Sequence, residues 1–173
     1  MERLWSPWRS QFIASADETL KEGSPFTAAF QHPERDVERF MVHRGDRAFI
    51  IMNLYPYNAG HLLVVPVREV GDFLELSEDE SGEIMRLIRF GIAMLKRALK
   101  PQAFNVGMNQ GRTAGAAIDT HVHFHIVPRW NGDTNFMPVL DETRVISENM
   151  REVYEKLIVA RDELLSEIPD GNR

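Results

Sequence analysis

His121, His123 and His125 stand at two-residue spacing in the run HVHFHIVPRW, so three of the chain's six histidines fall in one short window. In extended backbone successive side chains alternate faces. Imidazoles at i, i+2 and i+4 therefore share one face, while Val122, Phe124 and Ile126 share the other. One face would carry chemistry and the other would join a core. Two kinds of chemistry suit such an array. The first is metal ligation, since three histidines and a water can make a catalytic zinc centre. On a straight strand, however, the outer two lie roughly 13 Å apart at ~3.3 Å per residue, too far to share one ion through ~2.1 Å bonds without strong bending. Two of the three could chelate, with His61 or a carboxylate completing the set.

The second chemistry is covalent catalysis at phosphorus. The middle imidazole attacks a phosphoryl group while its neighbours orient it, manage protons or hold the anion. With an ordinary pKa of about 6.5, imidazole is largely neutral and nucleophilic near pH 7. The preceding loop, GRTAGAAIDT, supplies small residues that let backbone N–H groups approach phosphate oxygens. By itself that loop reads as a plain turn. Next to the histidines it forms the other half of a site.

Strands and helices must hold these groups. AFIIMN from Ala48 reads as a buried strand, LYPYNAG as a turn, and HLLVVPV as a second strand, which together predict a hairpin. Ser77 and Glu80 have capping-box spacing, and Ile84, Leu87, Ile88, Ile92, Leu95 and Leu99 then recur on one helical face up to Pro101. FNVGMNQ predicts a further strand ahead of the glycine loop. Ile146, Met150, Val153, Leu157 and Leu164 predict a closing helix that ends before Pro169 and Gly171. The first forty-odd residues, with Pro7, Gly23, Pro25 and Pro33, show no sustained period and read as an irregular arm with short helical turns. Short connections between neighbouring strands imply an antiparallel sheet with helices on one face, an α+β fold, and leave the histidine face uncovered.

Composition bounds the setting. The 173 residues suit a single domain, 1–173, divided into an arm (1–45), a core (46–137) and a C-terminal helix and tail (138–173). The formal charge of −6 argues against a nucleic-acid polymer as partner. The absence of cysteine rules out disulfides and thiolate-bound zinc, and it fits a reducing cytoplasm. The opening MERLWSPWRS lacks the apolar core of a signal peptide, and no run has the length of a membrane span. A cytoplasmic protein away from membranes is expected.

HVHFHIV resembles the signature of the histidine triad family of nucleotide hydrolases and transferases. NQGRTAG, PRWNGDTNF, NLYPYNAGHLLVVPVR and the opening LWSPWR are similar to its fragile-histidine-triad and diadenosine-tetraphosphate phosphorylase-like branch, so that the likeness covers most of residues 4–137. The resemblance implies an antiparallel sheet with two main helices, continued across a homodimer, and cleavage of a phosphoanhydride in a dinucleoside polyphosphate through a nucleotidyl-histidine. It implies His123 as nucleophile, His121 as its orienting partner, and His125 and His61 as completing the phosphate site. It further implies Asn53 near the nucleoside, Asn109 near the phosphates, and Gly115, Ala116, Ala117 and Ile118 as a backbone cradle. No tightly bound cofactor is implied, although Mg2+ can accompany the nucleotide.

Read without the resemblance, His61 suits a strand start, and Asn53 and Asn109 suit turns. Arg112 and Arg129 have the forked donors that bind phosphate, yet arginine is as often a surface residue, and neither is assigned. Trp5, Trp8 and Trp130 suit an interface or a cover over the site. Two departures from the family matter. Where many relatives carry a Cys-x-x-Cys pair that helps bind structural zinc, this chain has SPFT, Ser24 to Thr27, so no structural zinc is expected. Ala116 and Ala117 stand where relatives carry glutamine or hydroxyl residues, which leaves hydrolysis and phosphorolysis both open. A metal-dependent hydrolase and a nucleotide-binding signalling protein with negligible turnover are the alternatives.

Overall fold

The computed structural model describes residues 23–133 and 149–167. In chain order these form α1 (Pro25–Gln31), β1 (Met41–Arg44), β2 (Ala48–Met52), β3 (Leu62–Pro66), α2 (Glu78–Leu99), β4 (Ala103–Met108), β5 (Phe124–Arg129) and α3 (Met150–Ser166), with short 3-10 turns at Pro33–Arg35, Phe73–Glu75 and Arg112–Ala114. The strands make one antiparallel sheet in the order β1-β2-β3-β5-β4. The α+β class and the β2–β3 hairpin form as the sequence predicts, with pairing from Ala48↔Pro66 to Met52↔Leu62.

The helix over α2 starts where its capping box requires. The Ser77 hydroxyl accepts the Glu80 N–H at 3.2 Å, while Glu80 Oε2 accepts the Ser77 N–H at 2.8 Å. Its apolar stripe, Ile84, Leu87, Ile88, Met94 and Leu95, is buried against Ile50, Leu62, Val64 and Ile126 of the sheet. Gly91 permits this close approach, because a Cβ there would lie 2.8 Å from Cδ1 of Ile126. α3 adds Val153, Tyr154 and Leu157 to the same core, and Tyr154 also donates its hydroxyl hydrogen to the Met41 carbonyl. Of the residues expected in that helix, Ile146 lies outside the described ones, as do Pro169 and Gly171.

Two expectations need correction. The segment read as an irregular arm with short helical turns contains, over its described part, the short helix α1 and also the edge strand β1, which that reading lacked. β1 is only four residues long, too short for alternation to stand out in the sequence. The helix is marked locally by Ser24 as N-cap and Pro25 in the first turn. Arg44 of β1 holds the far end of α1 by donating to the carbonyls of Phe30 and Ala29, and it also pairs with Asp36. So secured, α1 roofs the second face of the sheet: Phe26 and Ala29 pack with Met41, Phe49, Ile51, Leu63, Val65 and Ile118. The histidine face is therefore covered, and His61 and His121 are fully buried.

Glu80 gives the fold a pH signature. Hydrogen bonding to Arg68 holds its carboxyl down at about 2, against an ordinary 4.5. A depressed carboxylate pKa contributes stability above the unfolded value and loses it as pH falls towards the folded one. The melting-temperature gap between wild type and Glu80→Gln, followed by circular dichroism, should be widest above pH 4.5 and close as pH approaches 2.

Candidate active site

Only His125 of the three histidines lies on a regular strand, opposite Leu63 of β3. His121 and His123 belong to the stretch just before β5, which corrects the picture of three imidazoles on one strand. The alternation nevertheless survives. Ile126 enters the helix-side core, while the rings of His123 and His125 lie 5.0 Å apart, and those of His61 and His125 lie 5.1 Å apart, on the α1 side.

Hydrogen bonds assign the protons on these rings, because a carbonyl only accepts and a backbone N–H only donates. His123 Nδ1 sits 2.8 Å from the His121 carbonyl, so Nδ1 carries the hydrogen and Nε2 keeps a lone pair. His121 Nε2 donates to the Pro66 carbonyl at 2.8 Å, which leaves its Nδ1 to accept from the Ser24 hydroxyl, also at 2.8 Å. His61 Nδ1 accepts the Tyr57 N–H at 3.0 Å, so His61 Nε2 donates to His125 Nδ1 at 2.9 Å. His125 consequently carries its hydrogen on Nε2. The arrangement presents one bare nitrogen, on His123, beside one N–H donor, on His125.

Burial favours the neutral state of the nucleophile candidate. It pushes the His123 imidazole below its ordinary value, against the opposing pull of its bond to the His121 carbonyl. Burial likewise lowers His121, against the opposing effects of Pro66 and Glu69. Phe26 supplies much of the cover, with its ring 5.1 Å from that of His123 and 5.6 Å from that of His121. Tyr57 stacks on His61 at 4.8 Å.

His123 and His125 line a cavity of about 460 Å³, together with Asn53, Asn109, Gly115, Ala117 and Ile118. Asn53 donates from Nδ2 to His61 and accepts the Tyr55 N–H on Oδ1, so it braces both the site and its own turn. The cradle loop turns on Gly111 and Gly115, both at positive φ (79° and 94°), where other residues are strained. Of the expected cradle residues, Ala116 does not line the cavity. It is buried, and its N–H is spent on the Gly111 carbonyl at 3.3 Å, which tightens the turn. His61 and His121 do not line the cavity, and they touch it through hydrogen bonds to His125 and His123. Arg112 and Arg129 pair with Asp119 and Asp133. Trp5 and Trp8 lie outside the described residues.

Several contributors escaped sequence reasoning. α1 brings Pro25, Phe26, Ala28 and Ala29 to the cavity wall, and Arg39 joins them, where it donates to the Ala28 carbonyl. The one sequence signal for them was the Ser-Pro start of α1. For the metal reading, His121 has both ring nitrogens committed, and among the described residues no three histidine or acidic side chains are gathered as a metal site.

Comparison with known proteins shows the family. The model of the HIT domain matches residues 34–132. The chain belongs to the HIT family. A relative in Mycobacterium tuberculosis named AP-4-A phosphorylase is 38% identical over 158 residues, covering 88% of this chain and 80% of that protein. An uncharacterized HIT-like protein of Saccharolobus solfataricus is 34% identical over 75% of this chain and 90% of its own. Among solved structures, a hypothetical histidine triad nucleotide-binding protein of Sulfolobus tokodaii superposes with a TM-score of 0.68 at 25% identity, over 87% of this HIT chain and 99% of that one. A Zn-bound histidine triad family protein of Mycobacterium smegmatis shares the fold, with a TM-score of 0.60 at 23% identity over 74% of this chain and 87% of that one.

A catalytic imidazole with a lowered pKa stays unprotonated through neutral pH and takes up its proton only below the ordinary range. The acid limb of kcat/KM should therefore fall below pH 6.5, the ordinary histidine value, when nucleotide turnover is followed as a function of pH.

Proposed function

We propose that this HIT protein is a nucleotidyl transferase that opens a dinucleoside polyphosphate, of the diadenosine tetraphosphate type, and passes the nucleoside monophosphoryl group to inorganic phosphate. The observation that carries the reading is the bare Nε2 of His123 facing a nucleotide-sized cavity, held there by the Nδ1–H bond to the His121 carbonyl. The 38% identity with AP-4-A phosphorylase over most of both chains supports the choice of substrate and acceptor.

In the first step Nε2 of His123 attacks the phosphorus nearest one nucleoside. The new P–N bond forms as the P–O bond to the departing nucleoside polyphosphate breaks, and the electron pair leaves with that oxygen. The imidazole gains a positive charge in the adduct. Its Nδ1–H then bonds more strongly to the His121 carbonyl, which stabilises the charge where it develops. The His125 Nε2–H is placed to bond a phosphoryl oxygen. In the second step a phosphate oxygen attacks the same phosphorus, the P–N bond breaks, and His123 recovers its lone pair. From diadenosine tetraphosphate the products are ATP and then ADP.

Arg39 is the cation among the described residues lining the cavity, and the protein carries −6 overall. A polyphosphate needs more positive charge than that, which favours Mg2+ arriving on the substrate's own phosphates. We place the reaction in the cytoplasm, a reducing setting that a chain without cysteine fits. The working unit is a homodimer joined along β4. This strand ends the sheet, Val106 on it is 46% exposed, and it borders a second cavity that reaches His125.

Incubation with diadenosine tetraphosphate should yield ADP with ATP only when phosphate is supplied; AMP with ATP in its absence would mean that water is the acceptor. His123→Ala should abolish turnover, a loss on the order of 10⁴-fold or more, while keeping the wild-type melting temperature. Light scattering should give a particle of twice the 19.9 kDa chain mass, and Val106→Glu should shift it towards the monomer.

A further inference from the structure

Ser24 lies ninety-seven positions before His121 in the chain, yet it is 2% exposed and makes one of the shortest side-chain contacts around the triad. Its oxygen accepts the Phe26 N–H at 3.2 Å, which caps α1, and its hydroxyl hydrogen goes to His121 Nδ1 at 2.8 Å. His121 Nε2–H is meanwhile given to the Pro66 carbonyl. The two bonds grip the imidazole from opposite sides and allow one tautomer only. With that ring fixed, the His121 backbone is held where its carbonyl accepts from His123 Nδ1. A second tie holds the serine itself: its N–H donates to Glu69 Oε2 at 3.3 Å, and the Thr27 hydroxyl donates to the same oxygen at 3.2 Å.

We propose that Ser24 is a positioning residue for the nucleotidyl transfer, acting through a hydrogen-bond chain that runs from its hydroxyl to His121 and from the His121 carbonyl to Nδ1–H of His123. The chain makes α1 part of the machinery. The helix that walls the cavity with Pro25, Phe26, Ala28 and Ala29 also sets, through its cap, which nitrogen of His123 faces the substrate. Removing the hydroxyl leaves His121 Nδ1 buried without its donor, so the ring is free to change tautomer or turn, and the carbonyl that orients His123 loses its support. The substrate cavity keeps its walls.

The proposal rests on the nucleotidyl-transfer reading, and the experiment separates the two. In Ser24→Ala, kcat for diadenosine tetraphosphate should fall on the order of 10–100-fold with KM nearly unchanged, because misplacement of the attacking atom affects chemistry more than binding. Ser24→Thr, which retains the hydroxyl, should keep most of the rate. Thr27→Val removes the neighbouring hydroxyl but leaves both bonds to the His121 ring, and it should keep most of the rate and the His121 tautomer. Nitrogen-15 NMR of the histidine rings in the wild-type protein should show His121 bare at Nδ1 and protonated at Nε2 across neutral pH, and in Ser24→Ala this signature should be lost. Wild-type kcat in Ser24→Ala, an equal loss in Thr27→Val, or a His121 protonated at Nδ1 in the wild type would each overturn the proposal. Full turnover by His123→Ala would instead overturn the transfer reading, and the NMR result would still decide the hydrogen-bond chain.

Discussion

A backbone carbonyl can accept a hydrogen bond and cannot give one, and the site depends on that asymmetry at His121. Because its oxygen lies 2.8 Å from His123 Nδ1, the proton of that imidazole has one place to be, and the lone pair is left on the side of the cavity. The same rule works at the other end. The Tyr57 N–H faces His61 Nδ1, and through His61 it places the hydrogen of His125 on Nε2. One backbone acceptor and one backbone donor thus assign a bare nitrogen and a hydrogen-bond donor to two chemically identical side chains.

Such assignments hold only if the backbone does not move, and the packing supplies that rigidity. β3 and β5 are neighbours near the middle of the sheet, pressed by α2 and α3 on one face, with the α1 cluster covering β3 on the other. Burial excludes water that would compete for the ring nitrogens, and it disfavours the charged imidazole at His121 and His123. The cost of burying polar rings is offset by their mutual hydrogen bonds. The site is therefore preorganised, and among the described residues its lining carries few charges, with a single arginine.

Much of the fold was legible in the sequence, since periodicity reports local structure. The capping box at Ser77 and Glu80, the stripe of α2 and the runs of β2 and β3 all form where their patterns place them. β1 and α1 were not legible. Four residues of an edge strand and seven of a helix are too few for a period to show, and what holds them in place is non-local: Arg44 reaching back to Phe30, and Phe26 packing under the triad. The expectation of an open histidine face failed for the same reason, because the element that closes it is short and comes from a segment without periodicity.

At the site, residue types and spacing alone put His121, His123 and His125 within reach of one another, sent alternate residues between them towards the core, and set a glycine loop beside them. These are consequences of chain geometry over a few residues. The tertiary structure decided how the members differ. It put Ser24 and Pro66 on either side of His121, gave the His121 carbonyl to His123 and the His61 ring to His125, and turned the Ala116 N–H into the loop instead of towards the cavity. Proton positions on an imidazole follow from what stands within about 3 Å of each nitrogen. Those neighbours come from distant parts of the chain, and only folding brings them there.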